Sequence, residues 1–204
     1  FFLPFAYFAV TGALNRSTAI RCGVLFVLGG LQGALGWYMV ASGLVDRTDV
    51  SQYRLAAHLS LATFIYGAIL WVAYGLGRRR HVPESGRQWL SLLIAGLVLL
   101  QIAAGGFVAG LDAGFGYNTW PLIDGAIVPR GLFVAEPWWR NMFENALTVQ
   151  FNHRTLAYVI FVLVAAQAYV VRSRPSIILF AAVLGQVALG IWTLLWVVPL
   201  WLGL

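Results

Sequence analysis

Charged side chains are scarce in this chain of 204 residues, because only 10% of them are Asp, Glu, Lys or Arg and lysine is missing altogether. An average soluble domain carries about 25% charged residues. Here 61% of the residues are hydrophobic and the mean hydropathy is +0.82. Lipid must therefore cover most of the surface, which excludes a water-soluble enzyme and a nucleic-acid-binding protein.

Cysteine is nearly absent as well, since Cys22 is the only one in the sequence. A single thiol forms neither an internal disulfide nor a four-cysteine metal site. All 13 cationic side chains are arginines, and the net charge is +6. In a chain this apolar, we expect these charges to orient helices in a membrane and not to recruit nucleic acid.

Long apolar runs dominate the rest of the sequence. A membrane-spanning helix needs about 20 apolar residues, whereas a spanning strand needs only about 10. A run at 1–14 is too short to span and is interpreted as the end of a helix that begins earlier. The five runs of sufficient length are 18–43, 52–76, 89–110, 147–171 and 176–198. The sequence therefore predicts an all-α polytopic membrane bundle with five complete spans and a partial one.

The arginines predict the topology of these spans. One arginine cluster precedes the first span, a second fills the 77–88 segment and a third separates the last two spans. Glu84 is the only acid among them. The three clusters fall on one side of the membrane if the spans alternate. Because cytoplasmic loops carry the excess of arginine, we predict that 77–88 is a basic cytoplasmic linker and that the acid-bearing loops face outward.

The longest outer segment, 111–146, is rich in glycine, proline and aromatic residues. Glycine and proline interrupt regular elements, and loops of this length are usually functional or disordered. The aromatic residues suit a belt at the membrane interface and equally a lid over the bundle. Both interpretations stay open at this point.

A Gln-x3-Gly pattern recurs in three of the spans. The two spans between them carry His58 and His153, so glutamine helices and histidine helices alternate. By extension, we expect a histidine in a helix after 204 and another in the helix that ends within 1–14. A glutamine buried in lipid needs a polar partner, so structural contact and direct cofactor contact both stay open. The three pairs are Gln32 and Gly36, Gln101 and Gly105, and Gln186 and Gly190.

His58 and His153 are the predicted metal ligands. They lie six and seven positions into their spans, which at 1.5 Å per residue is roughly 9–10 Å below the outer ends. An ionisable residue within the membrane indicates a function. The spans offer these histidines no carboxylate or thiolate, so zinc and di-iron sites lack ligands. Neutral imidazoles in an apolar bundle suit haem iron, and a core histidine bonded to a neighbour is the alternative.

Arg54 and Arg154 are the predicted partners of haem propionates. Arg54 precedes His58 by four residues, hence by one helical turn on the same face, and Arg154 adjoins His153. Snorkelling of each arginine to the interface is the alternative. Gln150 and Asn152, just before His153, are predicted to orient the second ring nitrogen of that histidine.

Four segments of the sequence are distinctive: LQGALGWYMVASGL (31–44), SQYRLAAHLSLA (51–62), FVAGLDAGFGYNTWPLIDG (107–125) and NMFENALTVQFNHRTLAY (141–158). They closely resemble the haem A synthase family in its alphaproteobacterial and mitochondrial form. The resemblance, which covers nearly the whole chain, implies eight membrane helices in two similar four-helix halves, each offering two histidines to a haem. It also implies oxidation of a ring methyl of haem O to a formyl group, with haem B as cofactor, to give haem A for cytochrome oxidase.

Carried over to this sequence, the resemblance assigns His58 to the substrate haem and His153 to haem B. Residues 1–76 would be the later part of the first half, and 89–204 the second half without its last helix. The chain is accordingly expected to be a fragment that lacks the N-terminal helices and the last helix. Such a fragment would be inactive alone and would not hold either haem between two histidines.

The resemblance also implies a location and partners. We expect a bacterial inner membrane, or the mitochondrial one in a eukaryote, with both histidines near the outer side. Expected partners are haem O, haem A, membrane lipid, haem O synthase, cytochrome oxidase assembly factors and a second copy of the chain. The alternative function is a membrane b-type cytochrome, in which His58 and His153 ligate one iron and pass electrons. No catalytic acid or base is assigned.

Overall fold

The computed structural model describes residues 1–41, 50–77 and 88–199. In these ranges the regular elements are helices, because a backbone in lipid must satisfy its hydrogen bonds internally. The α-helices are α1 (Phe2–Val10), α2 (Arg16–Ala41), α3 (Gln52–Gly77), α4 (Gln88–Gly110), α5 (Ala113–Gly116), α6 (Asn141–Glu144), α7 (Ala146–Val171) and α8 (Arg174–Leu195), and a short 3-10 helix at Trp138–Arg140 precedes α6. Five of them, namely α2, α3, α4, α7 and α8, are long and apolar enough to cross a membrane. The predicted all-α, multi-pass membrane bundle is confirmed.

Side-chain caps determine where three of the spanning helices begin. Asn15 accepts a hydrogen bond from the first turn of α2 at 2.9 Å, and Ser173 accepts one from the first turn of α8 at 3.3 Å. Asn145 accepts two at the start of α7, at 3.0 and 3.2 Å. Such caps satisfy N–H groups that have no partner within the helix. The three helices therefore begin one or two residues before the predicted apolar runs.

The end of the last span differs from the prediction. The sequence predicted a span to 198, but α8 ends at Leu195, and Val197 and Val198 have positive φ angles of 56° and 50°. Pro199 explains the early end, because a residue before proline is disfavoured in the α conformation. The predicted basic linker, 77–88, lies outside the described residues except for its two end positions, as do the last two residues of the span predicted at 18–43.

The long helices pack as a row in the order α2, α3, α4, α7 and α8, with α1 against α2. Contacts along the row show that α2, α3, α4 and α7 are antiparallel to their neighbours, since later residues of one helix meet earlier residues of the next. The contacting pairs are Gln32–His58 and Tyr38–Arg54, Gly106–Ala56 and Gly110–Gln52, and Gln101–His153 and Ser91–Gln167. The ends of α2 and α4 and the starts of α3 and α7 thus share one side of the row, called here the loop side.

The backbones of α3 and α4 touch at two glycines. A Cβ atom built on Gly106 would lie 2.6 Å from the Cα atom of Ala56, and one built on Gly110 would lie 2.5 Å from the Cα atom of Gln52. No side chain fits at such distances, so glycine is what allows these two helices to approach. The contact joins the helix that carries His58 to the helix that carries Gln101.

Segment 111–146 folds over the loop side. Its helix α5 packs on α4 and α7, and α6 packs on α7. Asn141 organises it from a fully buried position: its side chain accepts from the N–H of Ala135 at 3.0 Å and donates to the carbonyls of Ala135 and Trp138, both at 2.8 Å. Trp138 and Trp139 are exposed. The segment is therefore a folded cover that presents aromatic residues at its surface.

Candidate functional site

Each histidine of the spanning helices contacts one glutamine of the preceding spanning helix. In the α2–α3 pair, Nε2 of Gln32 donates to the backbone carbonyl of His58 at 3.1 Å and lies 3.1 Å from Nδ1 and 3.2 Å from Nε2 of the same residue. In the α4–α7 pair, Nε2 of Gln101 donates to the carbonyl of His153 at 3.2 Å and lies 3.1 and 3.2 Å from its two ring nitrogens. The two arrangements agree within 0.1 Å.

The glycine of each Gln-x3-Gly pattern completes the contact. A Cβ atom on Gly36 would lie 3.0 Å from Cε1 of His58, and one on Gly105 would lie 3.3 Å from Cε1 of His153. These distances are closer than ordinary van der Waals contact, so each ring fills space that a side chain would need. A Gln–Gly notch is defined here as the pair Gln32 and Gly36, or Gln101 and Gly105, with the imidazole edge that it holds.

The amide orientation in each notch follows from the neighbouring carbonyl. If the amide were reversed, its oxygen would face the histidine carbonyl oxygen at about the same distance, and two acceptors would repel each other. Nε2 therefore points at the histidine, and Oε1 of Gln32 and of Gln101 is buried without a hydrogen-bond partner in the part of the chain that the structure describes. Because Nε2 is nearly equidistant from both ring nitrogens, it cannot lie along the lone-pair direction of either one.

The third Gln-x3-Gly pattern has a different environment. Gln186 and Gly190 of α8 are exposed, and a Cβ atom on Gly190 would meet nothing within 4 Å among the described residues. Among the described residues, the structure brings a histidine to the first two patterns. The repeat predicts the next histidine in a helix after 204, so the environment of the third pattern stays a prediction.

Arg54 lies one turn from His58, towards the loop side of α3. Its guanidinium carbon is 4.4 Å from the centre of the Tyr38 ring, and Nη2 donates to the Tyr38 hydroxyl at 3.4 Å. A guanidinium over an aromatic ring is attracted by the ring's negative face. The cation is thus held at the loop side of the α2–α3 pair.

Arg154 secures the cover to α7. Nη1 donates to the carbonyl of Thr119 and Nη2 to that of Tyr117, both at 2.7 Å, and the side chain is only 9% exposed. Its Nε is buried without a partner, and no carboxylate lies within 4 Å of this arginine among the described residues. The guanidinium is therefore a buried cation that forms no ion pair among the described residues, and the carboxylate of Asp124 acts on it from a longer distance.

The predicted role of Gln150 and Asn152 is wrong. Gln150 donates to the carbonyl of Tyr117 at 3.2 Å, and Asn152 donates to Sδ of Met142 at 3.3 Å. Asn152 is adjacent to His153 and therefore points in another direction on the helix. Gln150 lies one turn before His153, but its amide is bonded to the cover, whereas Gln101 reaches the ring from the adjacent helix. The repeated Gln-x3-Gly pattern was the sequence signal for the true partner.

A polar contact that the sequence did not predict links α3 to the cover. Glu144 accepts from the hydroxyl of Tyr53 at 2.9 Å and from Nε of Arg140 at 2.8 Å, and it forms an ion pair with Nη2 of Arg140 at 2.6 Å. The hydrogen bond from Arg140, and then that from Tyr53, lower the pKa of the Glu144 carboxyl. This contact joins residues 91 positions apart.

The whole sequence matches a known family. Residues 1–204 match the cytochrome oxidase assembly protein family COX15-CtaA. The chain is 53% identical to a protein named heme A synthase from Azorhizobium caulinodans, and 50% identical to proteins of that name from Parvibaculum lavamentivorans and Bradyrhizobium diazoefficiens.

These matches cover all of this chain and 61%, 60% and 59% of the respective relatives. The chain thus spans about three fifths of the length of these curated relatives. No solved structure matches the sequence significantly. The resemblance that the four sequence segments carried is confirmed, and the chain belongs to the COX15-CtaA family of cytochrome oxidase assembly proteins, which includes the heme A synthases.

Proposed function

We propose that this chain is part of a haem A synthase that oxidises a ring methyl of haem O to a formyl group, giving haem A for cytochrome oxidase. The observation that carries the proposal is the duplicated Gln–Gly notch, which holds an imidazole with nearly the same contact distances in two equivalent helix pairs. The curated relatives at 50–53% identity are named heme A synthase. Duplication suits an enzyme that holds two haems, one as substrate and one as cofactor.

The residues of both notches fit a haem iron. A ligand nitrogen must keep its lone pair available, and the glutamine in each notch lies off the lone-pair directions of the ring. We assign His58, in the half formed by 1–76, to haem O, and His153, in the half formed by 89–204, to haem B, with 77–88 as linker. The haems supply the oxidation and electron-transfer chemistry. The chain orients the imidazoles through the two notches.

Arg54 and Arg154 are the proposed propionate partners. Both are held at the loop side, near the histidine of their own helix. Burial of a cation is unfavourable unless a counter-charge balances it, and Nε of Arg154 is buried with no hydrogen-bond partner among residues 1–41, 50–77 and 88–199. A propionate near Arg154 would place a negative charge in direct contact with the guanidinium, which Asp124 does not do. A propionate of the haem at His58 would pair with Arg54 in the same way.

The proposed location is the bacterial inner membrane, or the mitochondrial one in a eukaryote, with the loop side facing outward. The arginine-rich 77–88 linker supports this orientation, because cytoplasmic loops carry the excess of arginine. Haem O would reach the site from the membrane, after a haem O synthase, and haem A would pass to cytochrome oxidase assembly factors. Both haems carry apolar substituents suited to that route.

Feeding haem O to the full-length protein in membranes tests the activity. We expect mass spectrometry to detect the hydroxylated product and haem A, and we expect His58→Ala and His153→Ala each to abolish haem A formation. The control is Gln167→Leu, which changes a polar contact to Ser91 of α4 at the other end of α7. Haem O that stays unchanged beside an intact bound haem would instead support the membrane cytochrome.

Spectra of the same variants separate one shared iron from two sites. If His58 and His153 serve different haems, each substitution should remove its own fraction of the absorbance of bound haem and leave the other. If they share one iron, each substitution should remove the same signal completely. We expect separate losses, because the two imidazoles lie in notches formed by different helix pairs.

A further inference from the structure

We propose that Gln32 and Gln101 are positioning residues that fix the rotation of the His58 and His153 rings and so control the iron bound by each ring. This inference rests on the proposed function only in that a haem iron binds these two histidines. Both glutamines belong to the repeated Gln-x3-Gly pattern. The sequence left open whether they make a structural contact or contact the cofactor directly.

One amide nitrogen contacts both the backbone and the ring of the same histidine. In each notch, Nε2 of the glutamine bonds the histidine carbonyl and lies 3.1 and 3.2 Å from the two ring nitrogens. The carbonyl belongs to the helix and cannot rotate, whereas the ring turns about its side-chain bonds. A group that contacts both therefore restrains the ring with respect to its own helix.

The glycine restrains the ring from a second direction. Cε1 of His58 is 3.0 Å from the position of a Cβ atom on Gly36, and Cε1 of His153 is 3.3 Å from that on Gly105. The Cε1 edge therefore lies against the backbone of the preceding helix, next to the glutamine one turn away. Rotation of the ring would press it into this backbone or break its contact with the amide.

Other glutamines of the bundle show that this geometry is specific to the histidines. Gln167 joins α7 to α4 by donating to the hydroxyl of Ser91 at 3.2 Å, which is an ordinary polar contact between helices. Gln150 donates to the backbone carbonyl of Tyr117 at 3.2 Å. Among the described residues, neither of these two amides contacts a histidine ring.

A fixed ring has chemical consequences at the iron. The orientation of an axial imidazole and the groups around it tune the electronic structure of a haem, and partners that orient a ligand typically contribute 10–100-fold to metal affinity or activity. Loss of the amide should therefore alter the haem of that notch alone. A glutamine that only joined two helices would affect stability and leave the spectra of the bound haem unchanged.

The test uses Gln32→Met and Gln101→Met in the full-length protein, purified with its haem. Methionine keeps the length of the side chain but removes the donor. We expect Gln32→Met to change the electron paramagnetic resonance g values and the reduction potential of the haem at His58, with roughly 10-fold or greater loss of haem retention there. Gln101→Met should do the same at His153. Gln167→Met is the matched control and should change neither haem.

Each variant contains its own folding control, because the haem of the untouched notch should keep its wild-type spectrum. Unchanged g values and potentials at both haems would overturn the positioning role while leaving the proposed function intact. Changes of equal size at both haems in either variant would also overturn it, since they would show a global structural effect. A wild-type protein that binds no haem at these histidines would refute the proposed function itself and this inference with it.

Discussion

Replacing Gly106 with alanine tests the close contact between α3 and α4. The added Cβ atom would lie 2.6 Å from the Cα atom and 3.1 Å from the backbone nitrogen of Ala56. Carbon atoms in ordinary contact are about 3.5–4.0 Å apart, so α3 would have to retreat by about 1 Å. The obstacle is backbone, which cannot move aside as the end of a flexible side chain can.

Two opposing effects determine the magnitude. Alanine is a better helix former than glycine by about 1 kcal/mol, whereas overpacking a tight contact costs typically 1–3 kcal/mol. Because the clash here is with a backbone atom, we expect the upper part of that range and a net destabilisation of about 1–2 kcal/mol. Gly29→Ala in α2 is the matched control, since a Cβ atom there meets nothing within 4 Å and only the gain of about 1 kcal/mol remains.

The assay is reversible unfolding of the two variants in mixed micelles with increasing denaturing detergent. The free energy of unfolding should differ between Gly106→Ala and Gly29→Ala by about 2–3 kcal/mol, with Gly106→Ala the less stable. Equal stabilities would refute the argument that backbone contact holds α3 against α4. The same experiment on Gly110→Ala should repeat the result, because its Cβ atom would lie 2.5 Å from the Cα atom of Gln52.

Two further predictions concern the cover. Arg154→Met removes the hydrogen bonds to the carbonyls of Tyr117 and Thr119. Because each of these two bonds from a charged donor contributes about 1.5–3 kcal/mol, amide hydrogen exchange in the cover should rise at least about 100-fold. Glu144 has a lowered pKa in the folded protein, so its contribution to stability is present above its ordinary pKa of about 4.5 and is lost as the pH falls through the lower folded value. Exchange in the cover should therefore increase below about pH 4.5 in the wild type, and Glu144→Gln should remove that step.

Each of these predictions has a control. For Arg154, the control is Arg172→Met, because Arg172 is exposed and its Nε donates within its own helix, to the carbonyl of Tyr169. Unchanged exchange in Arg154→Met would show that this arginine does not hold the cover. For Glu144, an acid-induced step of the same size in Glu144→Gln would assign the pH dependence to another group.

The spanning helices could be predicted from the sequence because hydropathy summed over about 20 residues is a property of each segment by itself. Their exact ends depended on local chemistry that is also written in the chain. Asn15, Asn145 and Ser173 cap the starts, and Pro199 explains why α8 ends at Leu195 and not at 198. The predicted and observed helix ends differ by one to three residues because hydropathy is not sensitive to side-chain caps or to a single proline.

Part of the candidate site was likewise predictable. His58 and His153 stand out because an ionisable residue in an apolar span is costly, and the Gln-x3-Gly repeat marked the residues that meet them. The wrong assignment of Gln150 and Asn152 arose from proximity in sequence. On a helix, adjacent residues point in different directions, so nearness along the chain is a poor guide to contact.

The sequence by itself determined a membrane bundle of five spans with histidines at matched depth, since composition, length and spacing suffice for that. Only the tertiary structure decided that Gln32 reaches His58 across 26 residues, that Gln101 reaches His153 across 52, and that Arg154 binds the carbonyls of the cover. Hydrogen bonds and close glycine contacts depend on the register and rotation of neighbouring helices to within tenths of an ångström. Hydropathy is the same for every rotation of a helix in lipid, so it carries no information about these contacts.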